Sequence, residues 1–175
     1  MRLFVAVWPP PAVAAAVRGA VEGVDSDQRE GVRWTPWDQW HVTLRFFGEA
    51  DAGAAAAAFR SVAGDRLRAP VVAAVGPATA SFGRRVLHVP VAGLDAVAAA
   101  VIAATAEVGR PPDQRPFTGH LTLARAPARA GVDLTAWCGI PVSGSWSVAE
   151  LTLVASRTAG PGGSRYEVVD RLALA

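Results

Sequence analysis

Lysine is absent from the 175-residue chain, and cysteine, methionine and tyrosine each occur once. The single Cys138 excludes an intrachain disulfide and any zinc site built from several thiolates. Histidine is scarce as well, with only His41, His88 and His120. All 17 cations are arginine against 15 acidic residues, and a net charge of +2 is too small to wrap duplex nucleic acid electrostatically. Missing lysine beside 37 alanines and 17 glycines is the composition of a G+C-rich coding sequence and assigns no function. No apolar run approaches the ~20 residues of a membrane span. The stretch Leu3–Trp8 is cut by Pro9-Pro10-Pro11 before it reaches the length of a signal-peptide core, so the expected setting is the cytoplasm, away from membranes.

What is present alternates between strand and helix patterns. Strands are expected at Leu3–Val7, His41–Phe47, Pro70–Val75, Arg85–Val91, His120–Ala124, Trp146–Ser156 and Tyr166–Leu172. Helices are expected at Ala12–Val24, Ala54–Val62 and Leu94–Val108, the last closed by Gly109 with Pro111-Pro112 beyond it. Arg33 to Trp37 reads as a turn-rich loop, and Thr158 to Ser164, with three Gly and one Pro, as a mobile one. Adjacent strand pairs in both halves favour an α+β fold over a doubly wound parallel sheet.

One tetrapeptide recurs. His41-Val42-Thr43-Leu44 returns 79 positions later as His120-Leu121-Thr122-Leu123. With three His, nine Thr and twelve Leu, chance supplies on the order of 10⁻² such matches, and two far fewer. Residues i and i+2 of a strand share a face, so each copy presents an imidazole beside a hydroxyl while Val42, Leu44, Leu121 and Leu123 enter the core. Packing accounts for one such pair, but gives no reason to repeat it. Two imidazoles can serve as base and acid near neutrality, and two hydroxyls can donate to phosphoryl oxygens without adding charge. Displacement at phosphorus follows, with no metal or other cofactor required. From the residues alone the two histidines are interchangeable.

These motifs resemble those of the 2H phosphoesterase superfamily, in particular the bacterial and archaeal RNA 2′,3′-cyclic phosphodiesterases once called 2′-5′ RNA ligases. The similarity extends to Arg2–Val7, to Phe46-Phe47-Gly48, to Arg115-Pro116-Phe117, to Arg125 and to Leu151–Ser156 with Arg165-Tyr166. The resemblance implies a single bilobal domain over residues 1–175, with two antiparallel sheets flanked by helices about a pseudo-two-fold axis and a central cleft. It implies His120 as base, His41 as acid, and Thr43, Thr122 and Arg125 as ligands of the phosphate. The product is a 2′-phosphomonoester, and the reverse 2′-5′ joining of RNA ends is carried with it. The expected partners are RNA ends or small cyclic-phosphate nucleotides, and the expected state is a monomer. Two alternatives stand beside this: a nucleotide-binding module without turnover, and a phosphodiesterase for ADP-ribose cyclic phosphate. Gly119 departs from the family, which has Pro before the second histidine; glycine leaves the backbone ahead of His120 freer.

Other residues are weighed singly. Arg45 alternates onto the His41–Thr43 face and is expected to reach phosphate or to lie solvated at the strand end, and Phe117 to stack on a base at the cleft mouth or to pack in the core. Trp34, Trp37 and Trp40 crowd the approach to His41, as a base platform or as packing. His88, followed by Val89-Pro90 where a Thr would be needed, reads as a structural strand residue, and Cys138 as an inert packed thiol.

Overall fold

The first strand, β1 (Arg2–Val7), has five consecutive buried residues, the pattern of a strand covered on both faces. The chain then enters α1 (Pro11–Asp25), where proline's missing N–H is harmless and the Pro10 carbonyl accepts from Val13 and Ala14 at 3.0 Å. Val13, Ala14, Val17 and Val21 form its buried stripe. The computed structural model describes residues 1–25, 31–63, 70–158 and 164–174. Residues 159–163 of the glycine-rich loop expected to be mobile lie outside the described residues.

The remaining elements are β2 (Arg33–Trp34), β3 (Val42–Glu49), α2 (Ala52–Arg60), β4 (Val72–Val75), β5 (Ala80–Phe82), β6 (Val86–Ala92), α3 (Asp95–Ala104), β7 (His120–Arg125), β8 (Gly144–Ser147), β9 (Glu150–Thr158) and β10 (Ser164–Ala173). The Asp51 carboxylate accepts from the Ala54 amide at 2.8 Å and caps the alanine-rich α2. Two antiparallel sheets result. One has the order β10-β9-β1-β3, and the other β2-β7-β6-β4-β8 with β5 on β6. The fold is α+β and bilobal, as expected.

Each lobe borrows strands from the other half of the chain. Strands β9 and β10, late in sequence, extend the sheet from β1, while β2, early in sequence, pairs with β7. This exchange positions the site, because β2 draws the segment ahead of His41 onto the strand that carries His120. Thr35 N–H donates to the Leu123 carbonyl at 2.8 Å, continuing the pairing.

Several elements differ from the sequence expectation: Arg33-Trp34, expected in a turn-rich loop, is strand β2, and His41, expected to open a strand, precedes β3. The run 146–156 is two strands in different sheets, β8 on β4 and β9 on β1. The crossing at Val148-Ala149 is held by Val148 N–H on the Val71 carbonyl and by Leu174 N–H on the Ala149 carbonyl, both at 2.8 Å. Helix α3 stops at Ala104, short of Val108, where the Thr105 hydroxyl turns back on the Val101 carbonyl at 2.6 Å. Strand β5 has three residues, too few for a periodic signal. Among the described residues, no helix is long and apolar enough to cross a membrane.

Candidate active site

Both H-x-T-L copies lie on strands, His41 immediately ahead of β3 and His120 opening β7, and both are irregular at the same place. Along β1, Val5 faces Arg45 and Ala6 faces Thr43, so Leu44 is an extra residue. Along β6, Leu87 faces Ala124 and His88 faces Thr122, so Leu123 is extra. Each motif's fourth residue is therefore bulged, and a bulge reverses the alternation beyond it. Leu44 and Arg45 are both buried, as are Leu123 and Ala124. Arg125, which strict alternation sets on the far face, thereby joins His120 and Thr122.

The two histidines are anchored alike. Nδ1 of His41 lies 2.7 Å from the Gln39 carbonyl, and Nδ1 of His120 lies 2.7 Å from the Thr118 carbonyl. A carbonyl only accepts, so Nδ1 carries the proton in both rings and Nε2 is left for proton exchange. A pocket of about 150 Å³ is lined by His41, Thr43, His120, Thr122 and Arg125, together with Thr35, Gln39 and Tyr166. The Arg125 Nη2 stands 3.4 Å from the Thr122 hydroxyl. Burial lowers both imidazoles below 6.5; the carbonyls of Gln39 and Thr118 raise them, and the Arg125 charge lowers both. Two imidazoles, two hydroxyls and one guanidinium on one small pocket can move protons on both sides of an anion.

Each imidazole also has an aromatic surround, unequal between lobes. His41 stacks on Phe4 at 4.8 Å, meets Trp8 at 5.0 Å and takes the edge of Tyr166 at 5.3 Å. His120 meets the edge of Phe82 at 4.8 Å and of His88 at 5.4 Å, and those two stack at 4.0 Å. Sequence reading assigned no role to Phe4, Trp8, Phe82 or Tyr166; the available signal was that Tyr166 is the chain's lone tyrosine.

His88 does not line the small pocket, consistent with its structural reading, but it is buried. Burial and the neighbouring His120 hold it down at about 4, against the pull of the Val86 carbonyl. An unfolded histidine takes its proton near 6.5, so the native state is stabilised above that pH and loses stability as pH falls toward 4. By pH 4.5 most of this stabilisation, on the order of 2 kcal/mol, is lost. His88→Phe is expected to remove this share of the acid sensitivity, read as the difference between urea unfolding at pH 7 and pH 4.5. An unaltered difference would refute it.

Arg45 corrects the alternation argument. The bulge at Leu44 turns it off the His41–Thr43 face and into the interior, where its guanidinium lies over Phe47 at 5.2 Å. It donates to the carbonyls of Phe46 (2.7 Å), Val108 (3.3 Å) and Arg110, and so ties peptide rather than facing the small pocket. The tryptophans form no common platform. Trp40 is buried with Nε1 on the Thr35 carbonyl at 3.0 Å, Trp34 packs on Trp137 at 5.5 Å, and Trp37 is exposed. Cys138 is exposed rather than packed. Gly119 is not loose: its carbonyl accepts from Val91 N–H at 2.8 Å, and a Cβ there would stand 2.3 Å from the Val91 oxygen. Phe117 is half-buried against the core and lines a larger groove beyond Thr43. Among the described residues, no three His, Cys, Asp or Glu side chains gather as a metal site.

The sequence model of the family described as the 2′-5′ RNA ligase superfamily matches residues 9–160. No curated protein matches the sequence significantly. Among solved structures, TT0787 of Thermus thermophilus is 28% identical, with 99% of this chain and 98% of that one covered and a TM-score of 0.76. E. coli LigT complexed with 3′-AMP is 29% identical, with 99% and 97% covered and a TM-score of 0.76. LigT complexed with phosphate is 27% identical, with 99% and 96% covered and a TM-score of 0.70.

Proposed function

Since the chain belongs to the 2′-5′ RNA ligase superfamily, as a LigT-like 2H phosphoesterase, we propose that it hydrolyses 2′,3′-cyclic phosphate ends of RNA or nucleotides to 2′-phosphomonoesters. The observation that carries this is the pair of Nδ1-anchored imidazoles facing one pocket with Thr43, Thr122 and Arg125. The LigT complexes with 3′-AMP and with phosphate support it, since a nucleotide and its phosphate are the ligands such a pocket fits.

In the proposed reaction, Nε2 of His120 takes a proton from water as the water oxygen bonds to phosphorus. The P–O3′ bond breaks, and Nε2–H of His41 gives its proton to the departing O3′, leaving a 3′-hydroxyl. Thr43 and Thr122 donate to the non-bridging oxygens, and the Arg125 fork offsets the charge gathering there. The Arg125 charge acts on both imidazoles and does not separate them; the stacked face of Phe4, which attracts an imidazolium at His41, supports its assignment as the acid. With a 5′-hydroxyl of a second RNA in place of water, the same site joins ends through a 2′-5′ linkage.

The test is hydrolysis of a 2′,3′-cyclic mononucleotide in EDTA, with the 2′- and 3′-phosphates resolved. Undiminished formation of the 2′-phosphate is expected. Formation of the 3′-phosphate, loss of turnover in EDTA, or binding without turnover overturns the reading. The pH profile has a worked sign. Activity requires a neutral His120 and a protonated His41, and burial lowers both below 6.5. The kcat/KM bell is therefore expected to peak below pH 6.5, falling above it as His41 loses its proton. An alkaline optimum would exclude this pair.

A further inference from the structure

Beyond Thr43 the pocket opens into a groove of about 990 Å³. The two cavities share Thr43, His120 and Arg125 and so form one cleft. That volume stands at the top of the range for small-molecule sites, about 300–1,000 Å³, and far exceeds the room a phosphate needs. One wall is the cleft face of β3, where Phe46 follows Thr43 across the bulge. The other is the segment from Arg110 to Thr118 that leads into His120.

That second wall is pinned. Arg110 N–H donates to the Phe47 carbonyl at 2.7 Å, and buried Arg45 holds the carbonyls of Val108 and Arg110. Only glycine fits at position 109, with φ of +67° and with the space for a Cβ 2.5 Å from the Phe47 oxygen. The Arg110 Cβ lies 3.6 Å from where a Gly48 Cβ would stand, which places it beside β3 opposite Leu3, three β1 residues from the Ala6 that faces Thr43, about 10 Å along the strand. From there its side chain lines the same groove as Thr43.

The charges are uneven. Asp113 is the one acidic residue lining the groove among the described residues, and it is engaged by Arg115, Nη2 to Oδ2 at 2.6 Å. That pair holds the Asp113 carboxyl well below the usual carboxylate range. The Arg110 guanidinium has no ion pair or hydrogen bond among the described residues. A cation on a pinned backbone, its charge also acting on Asp113, thus lines the groove that leads from the two histidines, together with the apolar rings of Phe46, Phe82 and Phe117.

We propose that Arg110 receives a second phosphate of the substrate, carried on the 5′ oxygen of the ribose that bears the cyclic phosphate. This rests on the function proposed above and narrows it: the preferred substrates are 5′-phosphorylated or 5′-esterified cyclic phosphates. Two sources share that chemistry, the next phosphodiester of an RNA strand and the diphosphate of ADP-ribose cyclic phosphate. Phe82, exposed and backed by His88, and Phe117 offer faces to an attached base.

Two measurements on the full chain test it. Binding of adenosine 2′-phosphate is compared with adenosine 2′,5′-bisphosphate by calorimetry, a readout that needs no turnover. The bisphosphate is expected to bind at least tenfold tighter, with the ratio falling toward 1 in Arg110→Gln and partly restored in Arg110→Lys. In turnover, cytidine 2′,3′-cyclic phosphate is compared with its 5′-phosphate, a dinucleotide ending in the cyclic group, and ADP-ribose cyclic phosphate. A kcat/KM at least tenfold higher for one or more 5′-substituted substrates, lost in Arg110→Gln, supports the proposal and identifies the source. Equal binding with and without the 5′-phosphate, or a ratio that Arg110→Gln leaves unchanged, overturns it. Loss of all turnover with the binding ratio intact would instead sink the hydrolase reading and leave the Arg110 site standing.

Discussion

His41→Ala and His120→Ala are each expected to lower kcat for a 2′,3′-cyclic nucleotide by about 10²–10⁴-fold, the range for loss of a positioned acid or base. Binding of the 2′-phosphate product should change far less, because Thr43, Thr122 and Arg125 remain. Each ring is held through Nδ1 to a carbonyl two residues upstream, so truncation removes Nε2 without undoing a strand. The double variant should be little worse than either single one, since the two groups act in one step. Folding is checked by urea midpoint, because both rings also pack on aromatic neighbours. A properly folded variant that turns over at the wild-type rate contradicts the mechanism.

Arg45→Met is expected to cost about 3 kcal/mol of unfolding free energy, seen as a lowered urea midpoint. The side chain is 5% exposed and donates to three carbonyls, on Phe46, Val108 and Arg110. Methionine fills much of the volume but leaves those oxygens without donors in the interior. The gain forgone is less than the full complement, because the buried Nε of Arg45 has no partner among the described residues. The Arg110 carbonyl opens the segment that walls the groove and the Val108 carbonyl lies two residues before it, so KM for a 5′-phosphorylated substrate should rise more than kcat falls. Arg45→Lys should recover little, since an ammonium on a flexible stem does not match a planar fork bridging several acceptors. A Met variant as stable as the wild type would show that the tie contributes nothing net.

The repeated H-x-T-L was legible because its chemistry is local. A strand period of two puts His and Thr on one face whatever the strand pairs with, and His41, Thr43, His120 and Thr122 do line one pocket. The helices were legible from the prolines ahead of α1 and from the alanine runs, to within two residues for α1 and α2, whereas α3 ends four residues early. The Trp146–Ser156 run misled because both of its halves are apolar strands. Trp146 and Val148 serve one lobe and Leu151 and Leu153 the other, and the crossing is marked only by a two-residue break at Ala149 and Glu150, where alternating burial gives way to continuous burial.

Arg45 and Arg125 separate the two levels most clearly. Period alone placed Arg45 on the phosphate face, while only the family resemblance pointed to Arg125. The structure seats Arg125 on that face and buries Arg45, through one and the same device, an extra residue at Leu44 and at Leu123. A bulge arises from how a strand registers against β1 or β6, which are remote in the chain, so no local pattern encodes it. The sequence by itself determined the chemical groups, their pairing within each motif and the α+β class, because these depend on residue type and on short-range periodicity. The tertiary structure alone decided which arginine meets the pocket and which clamps the groove wall. It also enclosed each imidazole in its aromatic neighbours and set Arg110 on the groove that leads from them, because strand register and side-chain packing are settled only when distant segments meet.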